Sequence, residues 1–282
     1  ALYIGGTVNS VGGTFRNNIA ALNLTTGALL PFSQGISGFS DSVSALLVNG
    51  TTLYVGGSFT DSSGNNGIGM LAAYDTAAGG GVGAIKAGFT PEPNQVVTSL
   101  LLDGSTLYVG GGFGCLPDLN DNQDCNGGAE IVRRNIAAVN ATTGALVAGF
   151  DADVSISSGF SSVQTIARDT NALVFGGDFT CVGAANNGDS DCNDGGEFAR
   201  QNLVRVNLTT GAVDGWQPNP NDTVRALHKF GTTWWIGGDF TTIKGQPREH
   251  LARVGDDAAA PLDALDLAPD GPVNTIARRV DP

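Results

Sequence analysis

Histidine is almost missing from this sequence, and the cysteines that could join it as metal ligands are not spaced like a zinc site. The residues concerned are His228, His250, Cys115, Cys125, Cys181 and Cys192. Structural zinc sites need closely spaced Cys and His ligands, so a zinc-bound domain is not predicted. Two disulfides, Cys115 with Cys125 and Cys181 with Cys192, explain the local pairs better. Disulfides indicate an oxidising compartment, so we expect an extracellular, cell-surface or periplasmic protein.

Basic residues and long apolar runs are also scarce. The chain has 14 Lys and Arg against 27 Asp and Glu, which gives a formal net charge of −13. This charge would repel a phosphate backbone, so no nucleic-acid partner is expected. No run approaches the roughly 18 to 20 apolar residues of a membrane-spanning helix. The acidity reflects either solubility outside the cell or cation binding by clustered carboxylates.

Glycine is the dominant residue, with 42 copies, and many of them belong to one recurring motif. The motif reads LYIGG, LYVGG, LYVGG, LVFGG and WWIGG at residues 2–6, 53–57, 107–111, 173–177 and 234–238. In four copies a Phe follows two residues later: Phe59, Phe113, Phe179 and Phe240. In four copies a Val stands thirteen residues before the first glycine: Val43, Val97, Val163 and Val224.

Each motif belongs to a unit with four short apolar runs separated by turn residues. The Val begins the first run, the Gly-Gly motif is the second, and the third reads IAALN, LAAYD, IAAVN, LVRVN or LARVG. The fourth run follows a turn and ends at an aromatic residue or Leu: Phe32, Phe89, Phe150, Trp216 and Leu267. Apolar β-branched and aromatic residues favour strands, whereas Gly, Asn, Asp and Thr favour turns. Four-stranded units at this spacing are typical of propeller blades. We predict an all-β fold, with residues 1–282 forming a single five-bladed β-propeller of four-stranded blades.

The two ends of the chain complement each other in this repeat. The chain begins at a second-strand motif, and residues 273–277 (VNTIA) match a first strand. We therefore predict that the C-terminal strand pairs with the N-terminal blade and closes the ring, which removes an open sheet edge. Because the chain starts inside a strand motif, we expect a processed or trimmed product.

The repeats resemble the delta-60-type repeats of β-propellers in bacterial and some fungal surface or secreted proteins. The resemblance rests on the LYVGG-x-F, LAA-x-[DN] and F-x-P elements and covers essentially the whole chain. It implies the propeller fold and a secreted or cell-surface location. It implies no particular chemistry, because the family as a whole has none assigned.

Two adjacent repeats carry long loops after the Gly-Gly-x-Phe element, and these loops share alternating oxygen-bearing side chains followed by Glu. The shared positions are Asn120, Asn122, Asp124, Asn126 and Glu130 in one loop, and Asn187, Asp189, Asp191, Asn193 and Glu197 in the other. Calcium binds six to eight oxygens, and one loop of this kind can wrap them around an ion. We predict a calcium site in each loop, the alternative being a solvated, turn-rich loop held by its disulfide. A partner site is expected on the face that carries these loops.

One arginine precedes the third run by three residues in four repeats: Arg16, Arg133, Arg200 and Arg248. These residues could form a ring that binds an anion. The favoured interpretation is one structural arginine per blade, paired with carboxylates or carbonyl groups of a neighbour, with Asp178 and Asp239 as candidate partners.

The aromatic residues of the Gly-Gly strands are interpreted as core between blades rather than as platforms on which a sugar stacks: Tyr3, Tyr54, Tyr108 and Trp235.

No catalytic set is identifiable. Equivalent inner-strand positions hold Ser44, Thr98, Gln164, Arg225 and Asn274, whereas a glycosidase needs converging carboxylates. We therefore predict no enzyme activity.

The expected function is an extracellular scaffold that presents its loop-rich face to a protein or polysaccharide partner, as part of a larger surface or filament-associated protein. A lectin-like carbohydrate-binding module is the alternative, and a five-bladed-propeller glycoside hydrolase is the less favoured third interpretation.

Overall fold

The structure, a computed structural model, describes residues 1–32, 42–59, 70–81, 83–116, 125, 130–155, 162–183, 192 and 196–279. The chain forms two compact units. One comprises Ala1–Arg133 with Ala138–Val147, and the other comprises Arg134–Ala137 with Ala148–Pro282. The described part of the chain contains no helix with the length and apolar character needed to span a bilayer.

Strands make up the regular structure of the described residues, apart from one 3-10 turn at Ala78–Gly80. The first eleven are β1 (Leu2–Gly5), β2 (Ser10–Val11), β3 (Thr14–Phe15), β4 (Ile19–Leu22), β5 (Ser42–Asn49), β6 (Thr52–Ser58), β7 (Leu71–Asp75), β8 (Ala84–Ile85), β9 (Val97–Asp103), β10 (Thr106–Gly111) and β11 (Ile136–Asn140). The next eleven are β12 (Val154–Ser155), β13 (Ser162–Asp169), β14 (Ala172–Asp178), β15 (Cys181–Val182), β16 (Phe198–Ala199), β17 (Leu203–Asn207), β18 (Val224–Phe230), β19 (Thr233–Gly238), β20 (Thr242–Ile243), β21 (Gln246–Pro247) and β22 (Leu251–Gly255). The all-β prediction is confirmed.

Each Gly-Gly motif lies on a different sheet. The sheets have the orders β1-β4, β5-β6-β7-β8, β9-β10-β11, β13-β14-β17 and β18-β19-β22. The predicted fourth run forms a full strand only as β8. In the other four repeats it makes a single bridge to the third run, as between Leu22 and Leu29. Each repeat is therefore a small antiparallel sheet with a weakly paired outer segment.

The first glycine of the motif makes room for a valine of the following repeat. A Cβ built on Gly56 would lie 2.5 Å from Cγ1 of Val97, and one on Gly176 would lie 2.5 Å from Cγ1 of Val224. Gly5 meets Val43 in the same way. Real Cβ atoms do not approach so closely, so only glycine permits this packing of one repeat on the next.

The second glycine makes room within its own repeat, where the first strand bulges. Pairing of β5 with β6 shifts by one residue between Val43 and Ala45, and this brings the backbone of Ser42 onto Gly57. A Cβ on Gly57 would lie 2.1 Å from the carbonyl oxygen of Ser42. The same shift occurs in the β9–β10, β13–β14 and β18–β19 pairs. The Gly-Gly pair therefore serves two separate close approaches.

Aromatic side chains fill the core of each unit. In the first unit, Phe32 stacks edge-on against both Tyr3 and Tyr74. Tyr54 is 3% exposed, and its hydroxyl donates to the carbonyl oxygen of Ala141 in the following repeat, at 2.7 Å. Burial raises the pKa of Tyr54, so this hydroxyl keeps its proton at neutral pH.

The core of the second unit is built around two tryptophans. The rings of Trp216 and Trp234 lie 6.0 Å apart, and the Trp216 indole donates to the carbonyl oxygen of Gly255 at 2.9 Å. Trp235, which neighbours Trp234 on β19, is only half-buried.

The C-terminal segment, residues 272–279, packs on the preceding repeat as a first strand does, but it forms no strand. A Cβ on Gly237 would lie 2.6 Å from Cγ1 of Val273, which is the contact that Val97 makes with Gly56. The described residues 272–279 belong to no strand, and the β1-β4 sheet has two strands. Ring closure through this segment therefore stays a prediction.

The second glycine is expected to tolerate no side chain. Gly57→Ala places a methyl group against the backbone oxygen of Ser42, which no rotamer change can relieve, so we expect a loss of about 3 kcal/mol in the free energy of unfolding. Gly88→Ala is the matched control, since nothing lies within 4 Å of its added Cβ. Urea denaturation of both variants measures the difference, and equal stabilities would contradict this account of the motif.

Candidate functional site

The two predicted disulfides are present and hold the bases of the inserted loops. Cys115 bonds to Cys125 and Cys181 bonds to Cys192, with Cα–Cα separations of 5.6 and 5.5 Å. None of the four cysteines is free. The predicted pairing is confirmed, and bonds of this kind point to an oxidising compartment.

A small sheet supports the second inserted loop. β15 carries Cys181 and pairs with β16 on one side and with β12, the segment that leads towards β13, on the other. Both Cys181 and Val182 are fully buried. The loop therefore rises from a base that is hydrogen-bonded to the chain entering its repeat.

An asparagine anchors the equivalent element in two other repeats. Asn94 Oδ1 accepts the backbone N–H groups of Gly114 and Cys115 at 2.7 and 3.2 Å. Asn221 Oδ1 accepts those of Thr241 and Thr242 at 2.9 and 2.8 Å. Each asparagine stands three residues before the first-strand Val, and this shared distance in the sequence could have identified both anchors.

Eight of the ten predicted calcium ligands lie outside the described residues: Asn120, Asn122, Asp124, Asn126, Asn187, Asp189, Asp191 and Asn193. The remaining two, Glu130 and Glu197, are half-buried, and Glu197 stands just before β16. Within the described ranges, no group of three or more His, Cys, Asp or Glu side chains is placed to hold a metal ion. Calcium binding stays a prediction.

Three of the four repeated arginines join two backbone segments of their own repeat. Nη1 donates to the carbonyl oxygen of the preceding residue, at 2.9 Å from Arg16, 2.8 Å from Arg133, 2.9 Å from Arg200 and 2.7 Å from Arg248. In three of them Nη2 donates to the outer segment of the repeat, at Leu30, Asp214 and Asp263 respectively, over 2.7 to 3.1 Å. These acceptors are carbonyl groups within the same repeat, not groups of a neighbour.

The carboxylates suggested as partners of these arginines lie elsewhere. Asp239 forms an ion pair with Arg225, whose Nη2 lies 2.6 Å from Oδ2. This hydrogen bond raises the pKa of Arg225 against the effect of its burial. Burial raises the pKa of Asp178, and the nearby charge of Asp222 adds to the rise. Asp239 therefore serves the bulged first strand rather than Arg248.

A left-handed residue stands two positions after each repeated arginine, and in three of the four repeats it is an asparagine. Asn18, Asn135 and Asn202 hold this position with φ of 65, 68 and 60°, and His250 holds it with φ of 61°. Asn202 Oδ1 accepts the N–H of Phe179 at 3.1 Å, and its Nδ2 donates to Pro220 O at 3.0 Å. The side chain thus ties the end of the second strand to the linker that enters the next repeat. Asparagine suits the position because it tolerates this backbone conformation and bonds in both directions.

Replacing Asn202 separates its two roles. Asn202→Gly keeps the left-handed backbone but loses both buried hydrogen bonds, which is expected to cost about 1 to 3 kcal/mol. Asn202→Ala adds backbone strain of about 1 kcal/mol. Asn171→Ala, at an exposed turn, is the control. Chemical denaturation orders the three variants, and an alanine variant as stable as the glycine variant would count against the backbone role.

Lys229 is the centre of a charge network between two repeats of the second unit. Its Nζ contacts Asp169 Oδ1 and lies 2.8 Å from Asp256 Oδ2. Arg205 adds an ion pair with Asp214 and a 2.9 Å hydrogen bond to the backbone oxygen of Asp256. A polar cavity of about 450 Å³ lies beside these side chains. This network was not predicted from the sequence, because its members come from different repeats.

The network shifts two pKa values in opposite directions. Burial raises the pKa of Asp169, but hydrogen bonds from Lys229 and Thr170, with the charges of Lys229 and Arg205, outweigh it and leave the pKa below the usual range. Burial lowers the pKa of Lys229, but its bonds to Asp169 and Asp256 outweigh that effect and raise it. Both shifts favour the charged forms.

The contribution of Lys229 is expected to depend on pH at both extremes. Lys229→Met should lower the free energy of unfolding by about 1 to 2 kcal/mol near neutral pH. A lowered aspartate pKa stabilises the fold above the unfolded value of about 3.9, and a raised lysine pKa stabilises it below about 10.4. The difference from the parent should therefore shrink below about pH 4 and above about pH 10. Denaturation across this range, with Lys86→Met as control, checks it; a difference independent of pH would contradict it.

Comparison with known proteins gives no family assignment. No protein-family model and no curated protein matches the chain. Among solved structures it is similar to the computationally designed Ika8 protein, with 14% identity over 98% of this chain and 91% of that one, at a TM-score of 0.44. It is also similar to a chain of the Mitotic Checkpoint Complex (14% identity, 91% and 76%, TM-score 0.44) and to the WD40 beta propeller domain of Doa1 (11%, 83% and 89%, TM-score 0.29). These TM-scores are low, so the fold is defined by the sequence repeat and by the pairing of the strands.

Proposed function

We propose that the chain is an extracellular five-bladed β-propeller of delta-60-type repeats that acts as a non-enzymatic binding scaffold. In this proposal each Gly-Gly sheet is one blade, and residues 273–277 pair with β1 to close the ring. The contact of Val273 with Gly237 supports this, because it repeats the contact between other successive repeats. The first-strand bulge recurs in four repeats, which supports the interpretation of these repeats as equivalent blades.

The observation that carries the binding role is the division between a fixed framework and two inserted loops. Paired glycines, arginines and left-handed asparagines recur through the repeats, whereas the loops at residues 115–135 and 181–202 occur in two repeats only. Each loop is tied at its base by a disulfide and by backbone pairing. A rigid scaffold that carries variable loops is the usual arrangement of a binding domain. We place the partner, a protein or a polysaccharide, on the loop-rich face, with the chain forming part of a larger surface or filament-associated protein.

The absence of enzyme activity belongs to the same proposal. The first-strand bulge places Ser44, Thr98, Gln164 and Arg225 at equivalent points, and none is a carboxylate. Arg225 pairs with Asp239, so that carboxylate is neutralised. Hydrolysis of a glycosidic bond needs an acid and a second carboxylate at a defined separation, and this set does not supply them.

Shortening one loop tests the binding role. In the variant, residues 183–197 are replaced by the Lys-Gly pair that joins β20 to β21, and Cys181 becomes Thr. Because the equivalent hairpin needs only two residues, we expect the variant to fold and unfold cooperatively. The parent chain, biotinylated and cross-linked to intact cells of its source, should capture a partner that the variant does not. Equal capture by both, or capture by neither, would contradict the proposal.

The chemistry of the captured partner separates the two binding hypotheses. Loss of capture after protease treatment of the cells indicates the scaffold function, and loss after periodate treatment indicates the lectin-like alternative. A glycan array with the parent chain gives an independent measure of carbohydrate binding. The lectin alternative is supported by the predicted oxygen-rich loops, since a bound cation can coordinate sugar hydroxyl groups directly.

Calcium binding by the two loops is part of the proposal and rests on the alternating oxygen-bearing side chains of the sequence. Millimolar calcium should raise the unfolding temperature by roughly 5 °C relative to EDTA. The double variant Glu130→Gln, Glu197→Gln should lose this rise, while Glu249→Gln, an exposed acid outside the loops, should keep it. An unfolding temperature that is the same in calcium and in EDTA would overturn calcium binding without affecting the scaffold proposal.

A further inference from the structure

A largely apolar cavity of about 560 Å³ lies between the β18-β19-β22 sheet and the C-terminal segment. Trp235 and Leu251 line it from the sheet, and Val273 and Ile276 line it from the segment. Its polar lining includes His228 and Arg278. A volume of this size, with apolar walls and few polar groups, is that of a small-molecule site.

Two positions that line this cavity depart from the other repeats. His228 stands four residues after its first-strand Val, where the other three repeats have Leu47, Leu101 and Ala167. Phe230 stands six residues after that Val, where the others have Asn49, Asp103 and Asp169. Phe230 is 52% exposed, although the residues that end the other first strands are polar. This repeat alone therefore places an imidazole and an exposed aromatic ring beside the cavity.

Arg278 occupies the place in its segment that Lys229 occupies in the preceding repeat. Each stands five residues after the Val that packs on the Gly-Gly motif, Val273 and Val224 respectively. Lys229 meets the carboxylate of Asp169, six residues after the preceding Val. Arg278 instead lies over the ring of Phe230, with its Cζ 4.4 Å from the ring centre. Phe230 stands six residues after Val224, just as Asp169 stands six residues after Val163.

The substitution of Phe for Asp leaves a cation without its carboxylate. Among the described residues, the guanidinium of Arg278 has no ion pair or hydrogen bond; it lies over the ring of Phe230, and the side chain is exposed. The imidazole of His228 likewise makes no hydrogen bond within the described part of the chain, and the residue is half-buried. A guanidinium held on an aromatic face presents its N–H groups edge-on, which is the geometry that binds a carboxylate in two places.

We propose that this cavity binds a small apolar carboxylate. Its carboxylate group pairs with Arg278 as Asp169 pairs with Lys229, and its apolar body lies against Trp235, Leu251 and Ile276. His228 supplies a second polar contact. The proposal is independent of the scaffold function and of the inserted loops, which lie in other parts of the repeats.

Isothermal titration with three ligands of one shape tests the charge preference. The ligands are 4-phenylbutyrate, 4-phenylbutanol and 4-phenylbutylamine, measured at low ionic strength because salt screens an exposed ion pair. The carboxylate should bind on the order of tenfold more tightly than the alcohol, and the amine should bind least. Equal affinities, or no binding of any of the three at millimolar concentration, would overturn the proposal. A tripeptide ending in Phe that binds more tightly than 4-phenylbutyrate would also overturn the proposal, because the site would then recognise the C-terminus of a peptide.

Two variants locate the binding at Arg278. Arg278→Gln should reduce carboxylate affinity to that of the alcohol. Phe230→Asp restores the acid that other repeats carry at this position and should also abolish the carboxylate preference, because the new side chain pairs with Arg278. Two other repeats hold Asp here, so this variant is expected to fold. Lys86→Gln removes one positive charge that does not line the cavity and should bind like the parent. Unchanged binding by Arg278→Gln and Phe230→Asp would place the ligand elsewhere and refute the assignment.

Discussion

The close approach of backbone at the paired glycines is the constraint on which the rest of this structure depends. The second glycine lets the first strand bulge onto the second, and the first glycine lets a valine of the following repeat lie against the sheet. Neither approach leaves room for a Cβ atom, since the distances would be 1.9 to 2.6 Å at Gly5, Gly56, Gly57, Gly111, Gly176, Gly177, Gly237 and Gly238. The exception is Gly6, where the nearest atom would be 3.7 Å away, and its motif has no first strand paired with it among the described residues. Interiors pack at crystal-like density, so a single methyl group at these points displaces whole strands. The glycines thus fix both the shape of one sheet and its distance from the next.

The polar elements of the repeat follow from that packing. Because the outer segment forms few ladder bonds, Arg16, Arg200 and Arg248 bind it through their second guanidinium nitrogen. Because the chain must turn sharply before the third strand, a residue with positive φ stands there, and Asn202 uses its side chain to hold the following linker. These bonds occupy the arginines with backbone carbonyl groups. The repeated arginines are therefore better understood as structural residues than as a ring that awaits an anion, whereas Arg278, outside this series, has no such partner in the described residues.

The sequence was sufficient for the second and third strands of each repeat, the motif and the disulfides, because each is encoded by residues close together along the chain. The fourth run, predicted as a strand, forms one only as β8, since elsewhere it makes a single bridge. Alternation of apolar and turn residues located the third strands, and cysteines about ten residues apart could hardly pair otherwise. The partners of the arginines could not be predicted, since a backbone carbonyl group has no identity in a sequence. Lys229 and Asp169 are 60 residues apart and belong to different repeats, so only the packing of sheets brings them together. The role of Asn202 was equally hidden, because asparagine before a strand is also what an ordinary turn contains.

The packing of valine on the first glycine can be measured directly by a double-mutant cycle between Gly56 and Val97. Gly56→Ala should be strongly destabilising in the parent, because its Cβ would lie 2.5 Å from Cγ1 of Val97. In a Val97→Ala background that methyl group is gone, so the same substitution should cost less, with a coupling of about 1 kcal/mol or more. Additive effects in urea denaturation would contradict the claim that these two residues set the contact between successive repeats.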